Sequence, residues 1–230
     1  MKSFTCDMME ENKILVFDLD GTLINSMPYF SAAMRSILDD KNIPYGEDLV
    51  DIVTPLGYRK SAEYFSSLGA GDDVDAIVKK IETRLVYEYS NNIKLKDGVR
   101  EYLKKSKNEG KRLFVLTASP HLVVDVCLKN NGVYDLFDGV WSVDDFSFTK
   151  STPDIFIEMS ERIGVDPGQI TFFDDNHTAL INGKKAGHRV VGVRDIQKEE
   201  TVKEIKNTVH KFIDSFNELY KKGLILCLRK

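Results

Sequence analysis

The sequence predicts an α/β fold, a parallel sheet with helices on its faces, interrupted early by an all-helical insertion. Three observations predict it. Short apolar runs recur along the chain without the polar alternation of a half-exposed strand, as parallel strands covered on both faces require. Helical patterns separate most of these runs, which is the mark of βαβ units. Residues 27–92 carry helical spacing and no convincing strand.

The first strand is "ILVF" (14–17), which runs directly into Asp18 and Asp20. The insertion follows. Phe30, Ala33, Met34, Ile37 and Leu38 make one apolar stripe, and Val74, Ile77, Val78, Ile81, Leu85 and Tyr89 make another at i, i+3, i+4, i+7 spacing. Stripes of this kind are packing faces, and the segment 26–93 is large enough to be a second subdomain, leaving 1–25 and 94–230 as the core. An amphipathic helix is expected from Val99 to Glu109, stopped by Gly110. The strand "RLFVLT" (112–117) comes next, and Ser119-Pro120 reads as N-cap and first residue of the following helix. The strand "GVWSV" (139–143), a helix from Pro153 to Ile163 before Gly164, and the strand "ITFF" (170–173) continue the alternation. A shorter helix from Thr178 to Ala186 and the strand "RVVGV" (189–193) complete it. A long amphipathic helix from about Glu199 to Tyr220 is expected at the end, on the spacing of Val202, Ile205, Val209, Phe212, Ile213 and Phe216, followed by the short apolar run "GLILCLRK".

Composition excludes several classes. The 230 residues are 42% hydrophobic and 30% charged, which supports a packed core rather than disorder. A net charge of -4 gives no reason to expect nucleic acid as a partner. Cys6, Cys127 and Cys227 are odd in number and widely spaced, so they suggest neither a metal pair nor a disulfide framework. The stretch "MKSFTCDMMEEN" lacks the apolar region of a secretory signal, and no run approaches the length of a membrane span. A cytoplasmic protein without a membrane partner, monomeric or weakly homodimeric, is the expectation.

The chemistry collects at the strand ends, where ligands bind in doubly wound sheets. After the first strand come Asp18, Asp20, Gly21 and Thr22; after the second, Thr117, Ala118 and Ser119; in the loop after the third, Lys150; after the fourth, Asp174, Asp175 and Asn176. Each has an ordinary explanation as a turn residue, a helix cap or a solvated lysine. Jointly those explanations fail, because all four groups fall at the same end of the sheet. A calcium loop also begins Asp-x-Asp, but it needs Gly at its sixth position and Glu at its twelfth, and Gly21 and Tyr29 stand at the fourth and twelfth here. On an extended chain Asp18 and Asp20 would face the same way, about 6–7 Å apart. Four carboxylates at one edge repel one another without a cation, and magnesium, with its oxygen ligands, suits them. Such a site can transfer a phosphoryl group. One carboxylate attacks phosphorus, another protonates the leaving group and later activates water, and hydroxyls and a lysine neutralise the phosphoryl oxygens. Gly21 lets the backbone approach that group.

These residues resemble the haloacid dehalogenase superfamily. "DLDGTL" (18–23), "LTAS" (116–119), "KSTPDIF" (150–156) and "FFDDN" (172–176) stand in the order and spacing of its motifs, with a helical cap after the first. The resemblance implies a Rossmann-like core with an inserted helical cap, and a magnesium-dependent phosphatase acting on a small phosphate ester. It implies Asp18 as nucleophile, Asp20 as general acid and base, and Thr117 with the backbone at Ala118 as phosphate binders beside Ser119. It implies Lys150 as the third-motif lysine and Asp175, supported by Asp174, as a magnesium ligand together with Asp18 and the Asp20 backbone carbonyl. Asp20 is absent from the dehalogenase branch, so dehalogenation is not expected. Ser151 follows Lys150 where many relatives have proline, and Ala179 stands where many have a further acid. A sugar phosphomutase, or a binding protein that keeps the fold without turnover, is the alternative. Specificity is expected from the insertion, where "TPLGYRK" (54–60) offers Tyr58, Arg59 and Lys60 to the leaving group.

Overall fold

The computed structural model describes residues 12–220. The chain divides into two compact units, one drawn from Met1–Asn25 and Lys94–Lys230 and the other from Ser26–Ile93. The run "GLILCLRK" lies outside the described residues.

The first unit is built on a six-stranded parallel sheet of β1 (Ile14–Phe17), β2 (Arg112–Thr117), β3 (Gly139–Ser142), β4 (Ile170–Asp174), β5 (Arg189–Val193) and β6 (Lys211–Ile213), in the order β3-β2-β1-β4-β5-β6. β1 is central, and all four of its residues are buried. Alternation along the strands divides the core into two faces. On one, Ile14, Val16, Phe114, Leu116, Phe172 and Val190 pack with Ile155, Phe156, Met159, Leu180 and Ile205. On the other, Phe17 stacks on Phe173 with centroids 4.7 Å apart, and Tyr102 and Phe216 close the aromatic cluster.

Helices of this unit are Val99–Asn108, His121–Asn130, Asp154–Ile163, His177–Lys185 and Glu199–Thr208. The third stops at Gly164, whose φ of 76° is the left-handed conformation a helix end needs and a side chain resists. Two expectations shift, the Ser119 cap and the long final helix, and one ordinary explanation of the aspartates falls. Helix His121–Asn130 is capped by Pro120 in an extended conformation, and Ser119 makes no cap. The side chain of Asn176, not of either aspartate before it, caps His177–Lys185 through the Ala179 N–H. The long final helix ends at Thr208, and Lys211–Ile213 runs as an edge strand beside Val191–Val193. The sequence spacing suits a helix there, but β5 would otherwise leave its outer backbone groups unpaired, and extending the chain satisfies them.

The second unit is helical: α-helices Met27–Asp39, Leu49–Val53, Gly57–Ser67 and Val74–Asn91, with a single 3₁₀ turn at Thr54–Leu56. Both apolar stripes serve as packing faces, burying Ala33, Met34, Ile37 and Leu38 on the first helix and Ile77, Ile81, Leu85 and Tyr89 on the last. Among the described residues, no helix is long and apolar enough to cross a membrane.

Candidate active site

The site stands at the carboxyl end of the sheet, where β1, β2 and β4 finish side by side. Asp18 continues the ladder past β1, donating its N–H to the Phe173 carbonyl at 2.8 Å. The chain then turns rather than extending to Asp20. The Leu19 carbonyl accepts the N–H groups of Thr22, Leu23 and Ile24 at 3.3, 2.9 and 3.1 Å, while the Leu19 side chain is fully buried. Gly21 permits this turn. Its φ is +76°, and a Cβ there would stand 2.7 Å from the Asp175 carboxyl carbon. Glycine is required both by conformation and by the approach of Asp175.

Lys150 gathers two of the acids. Its Nζ donates to Asp18 Oδ1 at 2.5 Å and to Asp174 Oδ2 at 2.8 Å, and its own carbonyl accepts from Asn182 Nδ2 at 3.2 Å. Asp174, the last residue of β4, is fully buried, and its second oxygen accepts the Asn176 N–H at 2.7 Å. Asp175 accepts from the Thr22 hydroxyl at 3.1 Å. Oxygens of Asp18, Asp174 and Asp175 lie within 4.8 Å of one another.

This crowding sets the electrostatics. Burial raises the Asp18 carboxyl well above its ordinary value; Lys150 opposes this, and the charges of Asp174, Asp175 and Asp20 add to it. Burial likewise pushes Asp175 up to about 8, with Asp174 and Asp195 contributing and Lys150 and Lys96 opposing. Burial alone would lower the Lys150 ammonium, but the carboxylates of Asp174 and Asp18 raise it, so it stays charged. Three hard oxygen donors in mutual repulsion fit a hard divalent cation.

The other expected residues fall into two groups. Asp20 is bonded across the strand ends, where the Ser119 hydroxyl donates to its Oδ2 at 2.6 Å; its carboxylate is not one of the three grouped oxygens. Thr117 is buried at the end of β2 and its hydroxyl accepts the Ser119 N–H at 3.1 Å, with Ala118 exposed between them. Tyr58, Arg59 and Lys60 lie in the first turn of helix Gly57–Ser67 in the second unit. There Arg59 is exposed and paired with Asp75 at 2.8 Å and Glu63 at 3.7 Å. Thr22, expected at this edge of the sheet, is brought to Asp175. Lys96, which also faces Asp175 electrostatically, carried no signal in the sequence, where it is one of 32 lysines and arginines.

The profile of haloacid dehalogenase-like hydrolases matches residues 15–193, which span the ends of β1, β2 and β4 and Lys150. The chain belongs to this family. As a haloacid dehalogenase-like hydrolase it has relatives at similar distances. It is 26% identical over 181 residues to a phosphorylated carbohydrates phosphatase of Thermotoga maritima, covering 78% of this chain and 84% of that one. It is 26% identical over 195 residues to a phosphoglycolate phosphatase of Haemophilus influenzae, covering 81% and 87%. Among solved structures the hydrolase resembles CbbY from Rhodobacter sphaeroides in complex with phosphate, with a TM-score of 0.74, 21% identity and coverage of 90% and 96%. It also resembles β-phosphoglucomutase from Clostridium difficile, with a TM-score of 0.71, 19% identity and coverage of 94% and 96%. At these identities the two structures speak for the fold.

Proposed function

We propose that this hydrolase is a magnesium-dependent phosphatase that cleaves a small phosphate monoester in two steps through an aspartyl-phosphate on Asp18. One observation carries the reading: a buried carboxylate at the end of the central strand, bonded to a lysine and grouped with two further acids. The relatives named for phosphorylated carbohydrates and phosphoglycolate support a small phosphorylated metabolite as substrate.

Asp18 attacks phosphorus through a carboxylate oxygen, and the bond from phosphorus to the ester oxygen breaks. Asp20, protonated for this step, gives its proton to the departing oxygen. It then takes a proton from water as that water attacks the same phosphorus, releasing inorganic phosphate and restoring Asp18. The Ser119 hydroxyl, 2.6 Å from Asp20, orients this carboxyl. Lys150 and Thr117, with the backbone at Ala118 and Ser119, neutralise and hold the phosphoryl oxygens. Asp18 and Asp175, supported by Asp174, and the Asp20 carbonyl would hold the magnesium. When bound, the ion supplies positive charge beside the phosphoryl group and offsets the repulsion among the acids.

The test is a panel of phosphate esters assayed for inorganic phosphate, with magnesium and with a chelator. Release with magnesium and loss on chelation are expected. Phosphoryl return to a sugar without accumulation of phosphate would make the protein a mutase, and no turnover on any ester would end the enzymatic reading.

A further inference from the structure

Lys96 precedes helix Val99–Asn108 in the sequence, far along the chain from every strand end, and its side chain is only 17% exposed. All three donors of its ammonium are used. Nζ donates to the Gly21 carbonyl, to the Arg194 carbonyl at 2.8 Å and to Asp195 Oδ1 at 2.7 Å, and the Asp195 side chain is 6% exposed. A second set of bonds begins at Asp195. Its N–H donates to Gln197 Oε1 at 2.7 Å, and the Gln197 amide donates to the Asp175 carbonyl at 2.9 Å and the Val193 carbonyl at 3.2 Å. Together these bonds run from the Gly21 peptide, beside Asp18 and Asp20, through the loop after β5, to the backbone of Asp175.

We propose that Lys96, Asp195 and Gln197 form a strut that sets the spacing between the Asp18–Gly21 turn and Asp175, making Lys96 a positioning residue for the magnesium-binding carboxylates. The inference rests on the function proposed above. Lys96 touches neither Asp18 nor Asp175 by any described hydrogen bond, and its hydrogen bonds reach them only through backbone groups and Gln197. Its contact with the Gly21 carbonyl matters because Gly21 and the Asp175 carboxyl are already as close as the turn allows, with room for no Cβ between them. A hydrophobic side chain would fill the space of the Lys96 stem but release both carbonyls and strand the Asp195 carboxylate. Outer groups that orient ligands typically govern metal affinity in this way.

Calorimetric titration with magnesium, without substrate, tests the strut. The main variant is Lys96→Met/Asp195→Leu, which removes the ion pair whole and avoids a buried unpaired carboxylate. We expect it to weaken magnesium binding by about tenfold or more, the range typical of outer-group losses at metal sites. Its metal-free melting temperature should stay near that of the wild type, and kcat should fall more than KM rises on a generic phosphate ester. Gln197→Ala leaves the ion pair intact and decides the matter if the double variant does not fold. It should also weaken binding, by a smaller factor than the double variant, consistent with loss of one link in the chain of bonds. Magnesium affinity within twofold of wild type in a folded variant would overturn the strut while leaving the proposed function standing. Wild-type protein that binds no magnesium would overturn both.

Discussion

His188 makes the stability of this protein sensitive to mild acid. The residue is 2% exposed between helices Asp154–Ile163 and His177–Lys185 and the start of β5. Ser160 donates its hydroxyl to the Phe156 carbonyl at 2.8 Å, so at 2.9 Å from His188 Nε2 that oxygen is the acceptor and Nε2 carries the hydrogen. Among the described residues, Nδ1 is buried with no hydrogen-bond partner. A second proton would have to sit on Nδ1, buried and unpaired. Burial accordingly lowers the imidazole from 6.5 to about 4. The unfolded chain therefore binds a proton between pH 6.5 and 4 that the folded chain refuses. Stability from this group is fully present above pH 6.5 and is lost as the pH falls toward 4. At about 1.4 kcal/mol per tenfold change the whole effect is about 3 kcal/mol, of which about 2 kcal/mol goes between pH 7 and pH 5. Urea unfolding followed by circular dichroism at both pH values, with chelator present so that metal binding does not vary with pH, measures it. Other groups contribute to the pH dependence of the wild type. His188→Gln, which keeps an N–H for Ser160 but does not titrate, should therefore lose about 2 kcal/mol less than wild type over the same interval. Equal losses in the two proteins would refute the reasoning.

The active site offers further tests. Asp18→Asn should abolish turnover and transfer of labelled phosphate to the protein, since an amide cannot form the acyl-phosphate; labelling that persists would assign the nucleophile elsewhere. Lys150→Met removes the cation between Asp18 and Asp174 and should lower kcat by about 10²–10³, the loss typical of one charge-stabilising donor, with a change under threefold counting against its role. Gly21→Ala forces a side chain into a positive-φ turn and against the Asp175 carboxyl, so both melting temperature and activity should fall; a variant like wild type in both would disprove the close approach.

Much of the fold was legible because buried parallel strands leave a local mark. "ILVF" and "ITFF" are apolar throughout because both faces are covered, and the acids that follow them stand out against that background. The two stripes of the helical unit were visible for the same reason, since each helix buries one face at a period set by its own geometry. Lys150 could be singled out because it follows a strand of the same sheet. The extended stretch Lys211–Ile213 could not, because Val209, Phe212, Ile213 and Phe216 fit helical spacing equally well. The unpaired edge of β5 decided between the two, and an edge exists only once the sheet has formed.

By itself, the sequence determined which residues could become strands, which acids and hydroxyls would end them, and that a helical segment interrupts the first crossover. These follow from side-chain volume, polarity and period, which act between near neighbours. Only the tertiary structure decided which groups share a proton or a charge. Ser119 reads as a helix cap, yet its hydroxyl bonds Asp20, 99 positions earlier. Lys96 carries no distinguishing mark in the sequence, yet it joins carbonyls 75 and 98 positions away. Hydrogen bonds and ion pairs depend on distances of a few ångströms between atoms, and folding brings together atoms whose separation along the chain carries no trace of their contact.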